Sequence, residues 1–139
     1  MFAPQDTLTP IPGGAQRSGR RPTLRRAVLV LDPDRATRDF LVPILAAVRI
    51  DVLEAASPDE ARAHISRRPF AAFVEVNLPL TPGDVIAEEL ALANVYTVLM
   101  SSSDYGVARG RRSRFPLLRK PLTLRDALRH IVLGLPGSV

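Results

Sequence analysis

The chain of 139 residues is long enough for one domain with a buried core, and 46% of its residues are hydrophobic. It contains no cysteine, which excludes disulfides and thiolate metal sites. The longest apolar run, FLVPILAAV (40–48), is far shorter than the ~20 residues that span a bilayer. Because no apolar segment near the start predicts a secretory signal, we expect a cytoplasmic protein without membrane attachment.

Most of the positive charge lies in the first part of the chain. The net charge is +5, and residues 1–26 contribute +4 because they hold five arginines against one aspartate. Residues 1–24 are also rich in Pro and Gly and show no apolar periodicity, which predicts a disordered tail. The rest of the chain is close to neutral, and Lys120 is the only lysine in the whole sequence.

From residue 27 onward, short apolar runs recur at regular intervals. The first run is wholly apolar, which is typical of a strand covered on both faces. Five runs predict strands: AVLVL (27–31), IDVLEA (50–55), FAAFVEV (70–76), VYTVLM (95–100) and FPLLR (115–119).

Helix-start signals stand between these runs. Asp34 is the predicted N-cap of the first helix, and Pro43 should kink that helix or delay its start. Ser57, Pro58 and Glu60 match a capping box with proline at the first helical position. Caps therefore predict the starts of both helices, and for the first helix apolar residues also recur at helical spacing over residues 40–48.

The later helices are predicted in the same way. TPGD (81–84) predicts Thr81 as an N-cap and Pro82 as the first helical residue. TLRD (123–126) opens a last helix with one apolar stripe, formed by Leu124, Ala127, Leu128 and Ile131. Residues 101–114 contain too few apolar residues for a long helix, so we expect a short or mobile fourth helix.

Strands that alternate with helices across short turns are typical of a parallel sheet with helices on both faces. The predicted fold class is therefore α/β, a doubly wound (βα)5 fold with a five-stranded parallel sheet. We expect this single domain to occupy residues 25–135, with tails at residues 1–24 and 136–139.

Polar residues cluster where the predicted strands end. In open parallel sheets, ligands bind beyond the carboxyl ends of the strands. A buried glutamate such as Glu75 is costly unless another group pairs with it. The sequence therefore predicts a site at this edge, formed by Asp32, Asp34, Glu75, Asn77, Ser101 and Lys120.

Four stretches resemble the receiver domain of two-component response regulators, which has a CheY-like, flavodoxin-like fold. They are VLVLDPD (28–34), FVEVNLP (73–79), VLMSSSD (98–104) and LLRKP (117–121). In that family the first stretch ends in paired acids that hold Mg²⁺, and the second carries the phospho-accepting aspartate. The third and fourth carry a hydroxyl and a lysine that contact the phosphoryl group. The resemblance implies a signalling domain and not an enzyme.

The sequence departs from the family at the positions that carry this chemistry. Glu75 stands where the family has the acceptor aspartate, and Pro33 replaces the second acid of the pair. Ser101 and Lys120 match the hydroxyl and the lysine. Leu117 stands at the position of the aromatic residue that changes rotamer on activation. Because phosphoryl transfer depends on positioning and charge neutralisation, we expect no ordinary autophosphorylation.

Two interpretations of Glu75 are open. Its longer carboxylate reaches toward Ser101 and Lys120 and could act as a phosphomimetic, with one negative charge in place of about −1.5 to −2. It could instead pair with Lys120 for structural reasons alone. We expect no cofactor, or only weak Mg²⁺ binding at Asp32 and Glu75. The alternative is a phosphoacceptor in a histidine kinase phosphorelay that uses Asp32 or Asp34 in an altered Mg²⁺ site.

Contact with another protein is the predicted mode of action. Few residues follow the last predicted helix, so we expect no output domain and a receiver that acts through its surface. The resemblance implies contacts through the fourth helix, fifth strand and fifth helix, a face that carries Arg109, Arg111, Arg112 and Arg114. The expected partner is a histidine kinase or another signalling protein with an acidic surface, or a second copy of the chain.

Two further features predict less. The arginines near the start favour nucleic-acid binding only weakly, because that tail lacks interleaved aromatic residues and a recognition helix. His64 and His130 lie on separate predicted helices without an acidic partner at ligand spacing, so neither predicts a metal site.

Overall fold

Five strands and five α-helices alternate along residues 25–137, which are the residues that the computed structural model describes, and a short 3-10 helix (Ile65–Arg67) follows the second α-helix. The strands are β1 (Ala27–Leu31), β2 (Asp51–Ala55), β3 (Ala71–Glu75), β4 (Tyr96–Ser101) and β5 (Leu117–Arg119). The helices are α1 (Arg35–Ala47), α2 (Pro58–His64), α3 (Gly83–Leu92), α4 (Asp104–Arg111) and α5 (Leu124–Gly134). The predicted tail over residues 1–24 lies outside the described residues, as do residues 138–139.

All five strands are parallel and form one sheet in the order β2-β1-β3-β4-β5. This order confirms the predicted doubly wound (βα)5 fold. The chain proceeds from β1 outward to β2 and then returns to place β3 on the other side of β1. The switch point therefore lies between β1 and β3, where ligands of such sheets bind.

Alternate residues of the central strands face two different helical layers. Every residue of β1 and of β3 is buried. Leu29 and Leu31 pack in the layer that includes α2 and α3, whereas Val28 and Val30 pack in the layer that includes α1 and α5. Since successive strand residues point to opposite faces, a wholly apolar β1 is what a sheet covered on both sides requires.

Local hydrogen bonds fix the starts of the first two helices. The Asp34 carboxylate accepts the N–H two residues ahead at 3.0 Å, so it caps α1 as predicted. The helix continues through Pro43, and its start is not delayed. The Ser57 hydroxyl accepts the N–H of Glu60 at 3.2 Å, while the Glu60 carboxylate accepts the N–H of Ala56 at 2.7 Å. The capping box is thus present in a form displaced by one residue.

The predicted cap at Thr81 is wrong. Helix α3 begins at Gly83, and Pro82 occupies the N-cap position without a side-chain hydrogen bond. The Gly83 N–H donates to the carbonyl of Val76 at 2.8 Å, and a Cβ on Gly83 would collide with the backbone of Glu75. A close contact between α3 and the end of β3 therefore decides where the helix starts.

The structures of the fourth and fifth helices agree in part with the predictions from the sequence. Helix α4 has eight residues and is short, as predicted. In α5, Ala127 and Ile131 are buried, but Leu124 is 53% exposed. His130 is buried, although the predicted apolar stripe did not include it. No helix within residues 25–137 is long and apolar enough to cross a membrane.

The burial of His130 predicts a loss of stability in mild acid. Its Nδ1 lies 2.9 Å from the Tyr96 hydroxyl, and the two rings stack. Burial, with a contribution from Arg129, lowers the pKa of His130 below its ordinary value of 6.5, against a smaller opposing effect of Asp126. The unfolded chain therefore binds this proton first, and stability falls as the pH drops below about 6.5.

We expect the urea midpoint of the wild type to fall between about pH 7 and about pH 5 by more than that of His130→Gln. The variant is the control because both proteins keep the same carboxyl groups. If the urea midpoints of the two proteins fell by the same amount over this pH range, His130 would contribute nothing to the pH dependence of stability.

Candidate functional site

Three charged side chains meet at the carboxyl edge of the sheet. Asp32 follows β1, Glu75 ends β3, and Lys120 follows β5. The Lys120 Nζ lies 2.5 Å from Asp32 Oδ2 and 2.6 Å from Glu75 Oε1. The two acids are 1% and 6% exposed, respectively. We call these three residues the charged cluster, in which one ammonium bridges two buried carboxylates.

The remaining carboxylate oxygens of the charged cluster bind backbone amides. Asp32 Oδ1 accepts the N–H of Asp34 at 2.9 Å, and Glu75 Oε2 accepts the N–H of Asn77 at 2.8 Å. All four carboxylate oxygens therefore accept a hydrogen bond from the chain itself. These bonds satisfy the buried acids and fix their orientation without any added group.

Lys120 stays positively charged in this environment. Burial by itself lowers the pKa of the lysine, but the hydrogen bonds that it donates to Asp32 and Glu75, together with the negative charges of these acids, outweigh that effect. The net result is a pKa above the ordinary value of 10.5. With two carboxylates and one ammonium in their ionised forms, the charged cluster has a net charge of −1.

The backbone places Lys120 at the cluster. Its N–H donates to the carbonyl of Ser101 at 2.9 Å, which continues the pairing of β4 with β5 by one residue. The Lys120–Pro121 peptide bond that follows is cis. The lysine therefore leaves the sheet at a position fixed by main-chain contacts.

Ser101 is buried beside the charged cluster but is not hydrogen-bonded to Glu75 within residues 25–137. Its hydroxyl accepts a long hydrogen bond of 3.4 Å from the N–H of Ser103. The Asn77 side-chain amide donates to the Ser103 hydroxyl at 2.5 Å. Glu75 thus reaches Lys120 as expected from its length, but its second oxygen turns to the nearer amide of Asn77 and not to Ser101.

The other predicted site residues have different surroundings. Pro33 is exposed and offers neither a carboxylate nor an N–H. The Asp34 carboxylate caps α1. Leu117 is half-buried on β5, and a Cβ added to Gly110 of α4 would lie 2.8 Å from its Cδ1. Leu117, the proposed switch position, therefore packs closely against α4.

The residues present do not fit a Mg²⁺ ion. Mg²⁺ requires near-octahedral oxygen coordination and gives up its water reluctantly. The carboxylate oxygens of Asp32 and Glu75 are already occupied by Lys120 and by two backbone amides. In the part of the chain that the structure describes, no group of three His, Cys, Asp or Glu residues could hold a metal. A divalent cation would have to displace the ammonium.

Two of the four arginines of the predicted interaction surface form internal ion pairs. Arg109 binds the Asp84 carboxylate with two hydrogen bonds of 2.6 and 3.2 Å. Arg114 lies 2.8 Å from Glu88. Both acids belong to α3, so these pairs connect α3 to α4 and to the segment that follows it. Sequence reasoning missed Asp84 and Glu88. Their spacing of four residues indicates that they share one face of a helix, but it does not identify the part of the chain that this face contacts.

Arg38 is another residue that sequence reasoning missed. Its guanidinium donates to the backbone carbonyl of Asp32 at 2.6 Å and also pairs with Glu54 at 3.1 Å. Arg38 therefore holds the end of β1 next to the charged cluster. No motif in the sequence distinguishes it from the many other arginines.

Comparison with known proteins identifies the fold. No protein-family model and no curated protein match the chain. Several crystal structures of receiver domains do. The receiver domain of a modulated diguanylate cyclase from Desulfovibrio desulfuricans G20 is 26% identical, with 79% of this chain and 93% of that chain covered and a TM-score of 0.69.

Two further structures agree with this result. A two-component response regulator from Clostridium difficile is 21% identical, with 81% and 98% of the chains covered and a TM-score of 0.70. A CheY-like receiver domain protein from Methanospirillum hungatei JF-1 is 22% identical, with 77% and 90% covered and a TM-score of 0.66. The chain therefore has the CheY-like fold of a response regulator receiver domain, as the four sequence stretches indicated.

Proposed function

We propose that this chain is an atypical receiver that acts in signal transduction by contact with a partner protein and without aspartyl phosphorylation. The observation that carries the proposal is the double contact of Lys120 with Asp32 and Glu75. In the family that the sequence resembles, this lysine pairs with the phosphoryl group. Here the glutamate already holds it, so no phosphate is needed to bring the lysine to the centre of the site.

The charge of the site also opposes phosphorylation. The charged cluster has a net charge of −1, and a phosphoryl group would bring about −1.5 to −2 more. Phosphoryl transfer relies on cations that neutralise the developing charge. Pro33 supplies no metal-ligating acid, and Lys120 is already shared by two carboxylates. A phosphoryl group on Glu75 would therefore be poorly neutralised.

The position of the carboxylate is a second obstacle. Glutamate is one methylene longer than aspartate, and a misplacement of about 1 Å can cost on the order of 100-fold in rate. Both oxygens of Glu75 are also held by hydrogen bonds to Lys120 and Asn77. An attack on a phosphodonor would have to come from an oxygen that already accepts one of these hydrogen bonds.

The packing of α4 supports a single conformation. A Cβ on Gly106 would collide with the Ser101 hydroxyl, and Gly110 lies against Leu117. The pair between Arg109 and Asp84 further ties α4 to α3. We infer that this receiver presents one fixed surface to its partner, a histidine kinase or another signalling protein, and acts by binding and not by catalysis.

Restoring the two missing acids tests the proposal. After treatment with acetyl phosphate and Mg²⁺, we expect no mass change in the wild type. The Pro33→Asp/Glu75→Asp variant is expected to gain about 80 Da, the mass of one phosphoryl group, because it regains an acid pair and a shorter acceptor. Intact-mass spectrometry measures both, and each single variant is a control.

A phosphorylated wild type would contradict the proposal. It would support the alternative phosphoacceptor that uses Asp32 or Asp34, and fragment spectra would identify the acceptor. Beryllofluoride with Mg²⁺ gives an independent measurement. We expect it to leave the amide NMR signals around residues 75, 101 and 120 of the wild type unchanged.

A further inference from the structure

A groove of about 680 Å³ lies at the opposite, amino edge of the sheet. It is formed where α1 ends, where β1 begins and along the second half of α5. Its floor is apolar and includes Ile50, Leu128, Ile131 and Leu135, with Val48 on the α1 side. We call it the basal groove.

Three arginines line the rim of the basal groove: Arg25, Arg26 and Arg49. Arg25 pairs with Asp51 at 3.1 Å. Arg26 and Arg49 are exposed, and their side chains form no ion pair or hydrogen bond within residues 25–137. Two positive charges therefore stand beside an apolar floor without an acidic partner in the described part of the chain.

The backbone at Arg49 is also notable. Its φ of 62° lies in the left-handed region, where glycine is usually preferred after the end of a helix. Arginine occupies this turn position in place of glycine, and its side chain lines the rim of the basal groove. By contrast, Arg109 and Arg114 of the predicted interaction surface are already paired with acids of α3.

We propose that the basal groove binds an acidic amphipathic segment of a partner protein. Apolar side chains of that segment would cover the floor, and its carboxylates would pair with Arg26 and Arg49. The inference rests on the proposed function, because it names the surface through which a contact-based receiver would act. It does not depend on the geometry of the charged cluster.

Charge argues against two other occupants. A two-fold contact between copies of the chain would bring the same patch together, and so the same unpaired arginines. Residues 1–24 carry three arginines against one aspartate, a net charge of +2, and these arginines lie close in sequence to the rim. Both occupants would add positive charge to a rim that is already positive, whereas an acidic partner would neutralise it.

A defined peptide tests the inference on the full chain. The probe is a fluorescein-labelled helical peptide with leucines on one face and glutamates on the other. We expect it to bind the wild type and to shift amide NMR signals of residues 48–50 and 128–135. A peptide with lysines in place of the glutamates is expected not to bind.

Charge reversal then locates the contact. We expect Arg26→Glu/Arg49→Glu to weaken binding by on the order of 10-fold or more, because both ion pairs become repulsions. Arg111→Glu/Arg112→Glu is the matched control, since it makes the same change of charge on exposed residues of α4 and its C-cap. It should change the affinity by less than about 2-fold.

Three results would overturn the inference: no binding of the acidic peptide, equal weakening by both double variants, or signal shifts confined to α4. These readouts are separate from the phosphorylation assay. If the wild type is not phosphorylated by acetyl phosphate but also fails to bind the peptide, only the inference about the basal groove is overturned. A wild type that binds the peptide but becomes phosphorylated overturns only the proposed phosphate-independent function.

Discussion

Replacement of Lys120 by methionine is expected to destabilise the folded protein by about 3–5 kcal/mol at neutral pH. Methionine keeps much of the length of the side chain but removes its charge. Asp32 and Glu75 would then be two buried carboxylates without their shared counter-ion, each losing a hydrogen bond of 2.5 or 2.6 Å. Urea unfolding followed by circular dichroism measures the difference in the free energy of unfolding.

The dependence on pH separates charge from packing. We expect the loss in Lys120→Met to be constant near neutral pH and to shrink at alkaline pH, because the wild-type lysine loses its charge there. In the wild type, the raised pKa of Lys120 means that its stabilising effect is complete below about pH 10.5 and is lost as the pH rises through the folded-state value.

A triple variant is the matched control for this experiment. Lys120→Met combined with Asp32→Asn and Glu75→Gln removes all three charges together. It should recover part of the lost stability, since it leaves no buried carboxylate without a counter-ion. A loss that is the same at neutral and at alkaline pH, and the same in the triple variant, would show that Lys120 acts through packing and not through its charge.

Gly83→Ala is expected to cost about 2–3 kcal/mol, although alanine is the better helix former. A Cβ at this position would collide with the carbonyl group of Glu75 and with the Cα of Val76, and neither backbone atom can rotate away. Helix α3 would have to move from the end of β3. We also expect the amide signal of Asn77, which bonds the Glu75 carboxylate, to shift in NMR spectra.

Gly106→Ala is the control for this prediction. Its new Cβ would meet the side chains of Ser101 and Asn77, which can change rotamer. We therefore expect a smaller loss than for Gly83→Ala in urea unfolding. If Gly83→Ala were as stable as the wild type, helix propensity would outweigh the contact, and α3 would not be fixed by its approach to β3.

Much of this fold is predictable because it depends on local patterns. The apolar run of β1 indicates a strand with two covered faces, and all its residues are buried. Asp34, Ser57 and Thr123 cap helices through hydrogen bonds that reach only two or three residues along the chain. The meeting of Asp32, Glu75 and Lys120 follows from parallel strands, whose carboxyl ends share one edge.

Other features depend on contacts that no local pattern contains. The start of α3 is decided by the approach of Gly83 to β3, so the signal at Thr81 was misleading. In α5 the buried face includes His130, and a count of apolar residues therefore selected the exposed Leu124 in its place. The hydrogen bond from Asn77 to Glu75 depends on the backbone geometry after β3. Residue types alone cannot distinguish it from a bond to Ser101.

The hydrogen bonds of the charged cluster have a consequence for control in the cell. An aspartyl phosphate can be removed, and its removal resets a receiver. The ion pair between Lys120 and Glu75 contains no bond that hydrolysis could break. Under the proposed function, the signal of this receiver therefore does not end by dephosphorylation. The strength and duration of that signal would then be set by how much of the protein is made, how fast it is degraded and how much partner is available.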